Sequence, residues 1–195
     1  MANSGIYGVN DIRYLMDNQQ WKNVGDLQLI QTQTFSSSTA VFSALEEDTY
    51  NLHLFTFTDV HFSGQSEFDY QLSSDDGSSY LTGYQFANQR GNGGGSFAER
   101  KSTGQDGARL LGDIDEGAHS LANGYMYLYN IGDSTKYTWS TSHMVFMDNA
   151  DLLNFEFGGQ VRVTKEKHNA IKFGQGVGAT ALTSATISLY GLRNS

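Results

Sequence analysis

A period of two in the apolar residues is the feature that most constrains the fold of this chain. Phe68, Tyr70 and Leu72 alternate with Asp69 and Gln71, and similar alternation recurs after residue 25. Such a period places successive side chains on opposite faces of a β-strand. Roughly eight to ten segments of this kind are present. The sequence therefore predicts an all-β protein, an antiparallel β-sandwich.

Turn-forming residues divide the predicted strands. The chain has 22 Gly and no Pro, so Gly, Asn, Asp and Ser must form its turns. The cluster at 73–79 predicts a long hairpin loop before a strand over 80–86, and Gly158-Gly159 predicts a tight turn. Residues 87–107 are predicted to form the longest irregular loop. Further strands are predicted over 27–35, 50–57, 125–129, 136–147, 153–157 and 161–164.

One domain is expected, preceded by a short arm. The chain has 195 residues and no linker divides it, and all-β domains of this size commonly form single units. Ile12 and Leu15 have helical spacing within 7–21, but the pattern is short. We therefore expect residues 1–24 to form an N-terminal docking arm or short helix and residues 25–195 to form the sandwich.

Composition restricts the classes of partner. The chain has no Cys, which excludes disulfides and thiolate metal sites. Its net charge of −9, from 12 basic and 21 acidic residues, argues against binding to nucleic-acid phosphates. No apolar run is long enough to cross a bilayer, and no signal-peptide pattern is present. We expect neither nucleic acid nor a membrane as a partner.

Two acidic clusters are the candidates for a metal site. They are Asp75-Asp76-Gly77 and the segment 113–117, whose carboxylates suit Ca²⁺. Neither has the spacing of an EF-hand loop, and turn chemistry explains an Asp-Gly pair equally well. We therefore expect no cofactor, with calcium as the alternative.

The sequence contains none of the catalytic motifs expected for a zinc site, a serine nucleophile or a phosphate loop. The histidines form no zinc motif and are expected at the surface or at sheet edges; they are His53, His61, His119, His143 and His168. No Gly-x-Ser-x-Gly elbow occurs, and the glycine run at 91–95 lacks the Lys-Ser/Thr of a phosphate loop. The chain is therefore not expected to be an enzyme.

Aromatic residues provide the candidate interaction surface. Tyr125, Tyr127 and Tyr129 would share one face of a strand, where they could anchor a protein contact or stack on sugar rings. A half-buried sheet face or a subunit interface is favoured over glycan binding. The complete candidate surface includes the N-terminal arm and consists of Tyr7, Ile12, Tyr14, Leu15, Trp21, Tyr125, Tyr127 and Tyr129.

The last two strands have a separate prediction. Ile171, Phe173, Ile187 and Leu189 alternate with polar or small residues and should point into the core. The spacer 174–185 should form a loop that joins two neighbouring strands at the rim. The final strand is expected to pair deep within a sheet, with a partner from the start of the domain.

Two segments resemble virion proteins of tailed bacteriophages. Residues 72–80, followed by Tyr84, resemble that family's strand, serine-rich turn and Tyr. Residues 169–173 and 186–192, separated by a glycine-rich spacer, resemble its closing strands, which end in Leu-Tyr-Gly-Leu. The resemblance spans 49–192. The chain departs from the family at Lys172, where Arg is common, and at Asp76-Gly77-Ser78, where the family has Asp-Gly-Gly.

The resemblance implies a structural role. Family members are β-sandwich or jelly-roll proteins of the head, tail or baseplate, so the first expectation is a capsid decoration (cement) protein. It would bind the major capsid protein or other virion proteins, form a homo-oligomer such as a trimer, and enter virions assembled in the host cytoplasm. The alternative is a receptor- or glycan-binding module of a tail, baseplate or head fibre, with contacts from the Tyr stripe and the loop 88–107. No catalytic residues are implied.

Overall fold

The computed structural model describes residues 27–36, 38–114, 121–148, 151–175 and 181–192. Over these ranges the chain forms twelve β-strands in two antiparallel sheets, and no helix. The predicted all-β sandwich is therefore confirmed. The predicted arm over 1–24 lies outside the described residues, and with it Tyr7, Ile12, Tyr14, Leu15 and Trp21. Within the described part of the chain, no helix has the length and apolarity needed to span a membrane.

The strands follow one another with short connections. In chain order they are β1 (Leu27–Phe35), β2 (Thr39–Phe42), β3 (Leu52–Phe62), β4 (Ser66–Ser73), β5 (Tyr84–Asn92), β6 (Phe97–Gln105), β7 (Ala108–Ile114), β8 (Ala122–Tyr129), β9 (Trp139–Met147), β10 (Leu153–Arg162), β11 (Ala170–Gln175) and β12 (Leu182–Leu192).

The two sheets differ in width. The larger has the order β1-β12-β3-β8-β9-β10-β5-β6, and the smaller has the order β2-β11-β4-β7. The last described strand, β12, lies between β1 and β3 and pairs with both. The expectation that the final strand pairs deep in a sheet, with a partner from the start of the domain, is confirmed.

An aromatic cluster fills the space between the sheets. Ile171, Phe173, Ile187 and Leu189 are all fully buried, as predicted. Phe173 lies at the centre of the cluster, because its ring contacts five others from both sheets: Phe42, Phe55, Phe57, Phe68 and Tyr70. Rings from both sheets meeting at one residue make Phe173 the main apolar contact between the layers.

A chain of buried polar groups continues the core beneath β5, β9 and β10. The Tyr70 hydroxyl bonds with that of Ser140 at 2.9 Å, and Ser140 donates to Gln160 at 2.6 Å. Gln160 donates to Asn88 at 3.1 Å, and Asn88 donates to the carboxylate of Glu156 at 2.7 Å. That carboxylate also accepts the backbone N–H of residue 112 on β7 at 2.9 Å. The network thus connects β4 and β7 of the smaller sheet through three strands of the larger one.

Three turn predictions were wrong. The segments 68–72 and 80–86 do not form a hairpin, because β4 and β5 belong to different sheets. Residues 87–107 are mostly strand: β5 and β6 form an antiparallel hairpin whose polar residues suit an edge of the sheet. Gly158-Gly159 lies inside β10, where a Cβ on Gly158 would lie 2.4 Å from the carbonyl oxygen of Ala87. Close approach of the neighbouring strand, and not a turn, explains this glycine.

The spacer before the last strand was also assigned wrongly. β11 belongs to the smaller sheet and β12 to the larger one, so the connection crosses between the sheets instead of joining neighbouring strands. β12 begins at Leu182, so the end of the predicted loop is strand. Residues 176–180 lie outside the described part of the chain.

Two histidines contradict the prediction of a surface or edge location. His53 and His168 are fully buried in the sandwich. The Thr138 hydroxyl lies 3.0 Å from His168 Nδ1 and forms a hydrogen bond with it. Burial, together with the positive charge of Arg162, lowers the pKa of His168 to about 4. A neutral imidazole fits this interior, which the sequence pattern did not indicate.

Candidate interaction surface

The larger sheet presents one face to the smaller sheet and one away from it. Three rows of eight residues, one from each strand, define the second face, which we call the outer face. Hydrogen-bond register gives the rows as Leu27, Leu192, Leu52, Tyr129, Trp139, Val161, Gln85 and Thr103; Leu29, Tyr190, Leu54, Tyr127, Thr141, Gly159, Ala87 and Lys101; and Thr32, Ser188, Thr56, Tyr125, His143, Phe157, Gln89 and Glu99. None of these residues is buried, whereas the residues alternating with them on the six inner strands are buried, except Gly158.

The outer face carries almost no charge. Its two charged residues, Glu99 and Lys101, both lie on the edge strand β6. The other seven strands contribute no Asp, Glu, Lys or Arg to the rows. Charged residues make up 17% of the chain, so the net charge of −9 is carried elsewhere. Depletion of charged residues is typical of the core of a protein interface.

The predicted Tyr stripe is part of a longer row of aromatic rings. The structure places Tyr125, Tyr127 and Tyr129 together on the outer face, and the row continues across β9 and β10 to β6. Successive centroids lie 5.8–6.4 Å apart in the order Tyr129, Tyr127, Tyr125, His143, Phe157, Phe155 and Phe97. These are contact distances between rings. The described part of the candidate surface is therefore one continuous apolar band.

A trough lies next to this band, beside Trp139. Gly159 and Ala87 form its floor, Trp139 lines it on β9, and Lys101 lines it on β6. Its volume is about 760 Å³. The depth comes from the missing side chain at Gly159, where a Cβ would meet only a backbone oxygen at 3.9 Å. The outer face thus combines a recess with exposed rings such as Trp139, which is 48% exposed.

The sequence prediction missed the contribution of β10. On this strand Asn154, Glu156 and Gln160 are buried, whereas Phe155 and Phe157 lie on the outer face, with Phe157 46% exposed. The buried polar network binds Glu156 and Gln160, and Asn154 donates to Asp148, so the apolar set is left to the outside. The alternation itself was visible in the sequence, but the usual assignment of apolar side chains to the core would reverse it.

The first acidic cluster forms a turn. Asp75 accepts hydrogen bonds from the Ser73 hydroxyl at 2.7 Å and from the Ser79 hydroxyl at 2.6 Å and N–H at 2.9 Å. Bonds from Ser79 and then Ser73 lower the pKa of Asp75 to about 2. Turn chemistry therefore accounts for this carboxylate. Among the described residues, no three His, Cys, Asp or Glu side chains group as a metal site would require.

No protein-family model matches the chain. No curated protein matches it significantly either.

Proposed function

We propose that this chain is a structural protein of a tailed-phage virion, of the capsid decoration type, and that it acts through protein–protein contact. The observation that carries this proposal is the uncharged, aromatic outer face of the larger sheet. Depletion of charge together with enrichment in Tyr, Trp and Phe is the composition of protein interfaces. The sequence resemblance to virion β-sandwich proteins supplies the setting.

Such a protein would stabilise the capsid by mass action. A ligand that binds the assembled shell, and not its separated subunits, adds its binding free energy to the assembled state. Saturation at 100 times the dissociation constant would contribute about 2.7 kcal/mol for each bound copy. The rigid double-layer fold suits this role, because little ordering free energy is lost when a preformed face binds.

The test uses emptied, expanded heads of the phage that encodes the chain, lacking this protein. Added protein should co-sediment with the heads and raise their melting temperature. Phe157→Lys introduces a charge into the aromatic band of the outer face and should reduce both effects. Val41→Lys introduces the same charge at an exposed apolar residue on β2 of the smaller sheet, away from the outer face, so it should leave both effects unchanged. Heads that neither bind the protein nor gain thermal stability would contradict the proposal.

A glycan-binding module is the second candidate, favoured by the trough beside Trp139. A sugar ring could stack on the indole, with Gln85 and Thr103 supplying polar contacts. In that case the protein should bind intact host cells or host polysaccharide, and Trp139→Ala should abolish the binding. If the protein binds cells but does not bind capsids, it is a glycan-binding module and not a decoration protein.

A further inference from the structure

We propose that the outer face packs against the outer face of a second copy of this chain. The inference rests on the proposed function only in treating this face as a protein contact surface. It names a second copy as the occupant of this face in the free protein, so that binding to the capsid would exchange one protein contact for another. Each copy would contribute the same residues, as a two-fold interface requires.

The charge distribution favours a second copy. Two identical faces that carried net charge would place like charges opposite one another, which is destabilising. The rows avoid this conflict, because seven of the eight strands present only uncharged residues and the two charges on β6, Glu99 and Lys101, are opposite in sign. The acidic residues responsible for the net charge of −9 lie elsewhere, so two copies can approach through this face.

The dimensions of the face suit a stable dimer. Seven spacings between strands span roughly 34 Å, and the five residues that contain the three rows span about 17 Å. The projected area is therefore on the order of 600 Å². Side-chain relief and the flanking rings of Phe155 and Phe97 increase the accessible area further. The total approaches the ~800 Å² that each partner contributes to a standard interface.

The relief of the face is compatible with self-packing. Exposed rings such as Trp139 and Phe157 and the trough over Gly159 and Ala87 lie on the same surface. A two-fold axis places a feature of one copy against a different feature of the other, and the reverse contact follows by symmetry. Two sheets can pack in this way about 10 Å apart, with their strands inclined by about 30°. The family resemblance implied a trimer, which this face would not form by itself.

Sedimentation equilibrium of the full chain, from about 0.5 to 100 µM, tests the proposal at dissociation constants typical of specific complexes. Wild-type protein should be a dimer over most of this range. Phe157→Lys and, independently, Thr141→Glu should each raise the dissociation constant by at least about 100-fold, since each buries like charges at the interface. Both positions are exposed, so the folded monomer should be retained, as thermal unfolding would verify. Val41→Lys, on the smaller sheet, is the matched control and should remain dimeric.

A wild-type protein that is monomeric up to 100 µM would overturn the inference. So would a dimer that both variants leave intact, since its interface would lie elsewhere. The two proposals fail separately. A monomer that still binds heads would refute the dimer and retain the decoration function, whereas a dimer that ignores heads would do the opposite.

Discussion

Replacement of Phe173 by Ala should be among the most destabilising single changes in this protein. The ring is fully buried, and it contacts five aromatic rings with centroid distances of 5.0–6.3 Å. Because those rings come from β2, β3 and β4, they are held by both sheets and cannot all move into the space that the ring leaves. The variant should therefore retain a cavity between the layers.

The expected cost follows from this packing. Burial and cavity effects make Phe→Ala in a core cost about 3–5 kcal/mol. Each aromatic pair adds about 0.5–1.5 kcal/mol beyond the buried area, and Phe173 makes five such pairs. We therefore expect about 5 kcal/mol, the upper end of the range. With a urea m-value near 2 kcal/mol/M, the midpoint should fall by roughly 2.5 M.

The measurement is equilibrium unfolding in urea, followed by Trp fluorescence at a protein concentration well below the dimer dissociation constant, so that dimerisation does not contribute to the measured stability. Phe97→Ala is the control, because it removes the same ring from a residue that is 72% exposed. It should change the free energy of unfolding by less than about 1 kcal/mol. A loss below about 2 kcal/mol for Phe173→Ala would refute the view that this ring joins the two sheets.

Three further predictions concern other parts of the fold. Gly158→Ala should prevent folding or cost at least about 3 kcal/mol in urea unfolding, because its Cβ would meet the β5 backbone, whereas Gly159→Ala should be tolerated, as its Cβ points into open space. Equal effects of the two changes would contradict this placement. Glu156→Ala should cost about 3 kcal/mol by the same assay, since it leaves one N–H of the Asn88 amide and a β7 backbone N–H buried without their acceptor. An effect near zero would mean that the network is not closed as described. The pKa of His168 is about 4 in the folded protein and near 6.5 in the unfolded chain. As the pH falls, the unfolded chain therefore binds the proton first. The free energy of unfolding should decrease as the pH drops from about 6.5 to about 4. His168→Gln should remove about 2–3 kcal/mol of that pH dependence, and an unchanged pH profile in the variant would show that this histidine is not responsible.

Local periodicity was sufficient to predict the fold class and several core residues. Ile171, Phe173, Ile187 and Leu189 follow a simple alternation and are buried as expected. Tyr125 and its neighbours on β8 also follow it, and they share a face. In β11 and β12 the apolar side chains face the core, and in β8 the three Tyr residues are spaced two apart. The alternation alone is therefore enough to predict which side chains share a face.

The remaining features depend on partners that are distant in sequence. Alternation separates the two faces of a strand but does not say which face meets the core, and β10 has its polar set inside. Only the hydrogen bonds that Asn88 and the β7 backbone supply to Glu156 make that arrangement stable. Likewise, the Gly158-Gly159 pair is typical of a turn, but glycine is needed at residue 158 because β5 approaches it closely. Without the positions of Asn88 and β7, the sequence could not show that Phe157 lies on the outer face and not in the core.

The pairing of β12 with both β1 and β3 has a consequence for synthesis on the ribosome. β1 leaves the exit tunnel early, but its hydrogen-bonding partner is made about 150 residues later. At translation rates of about 5–20 residues per second, the nascent chain waits roughly 10–30 s with the edges of β1 and β3 unpaired. During this interval both strands offer uncovered backbone to other chains. Truncated translation products that lack β12 should therefore aggregate instead of accumulating as partly folded protein.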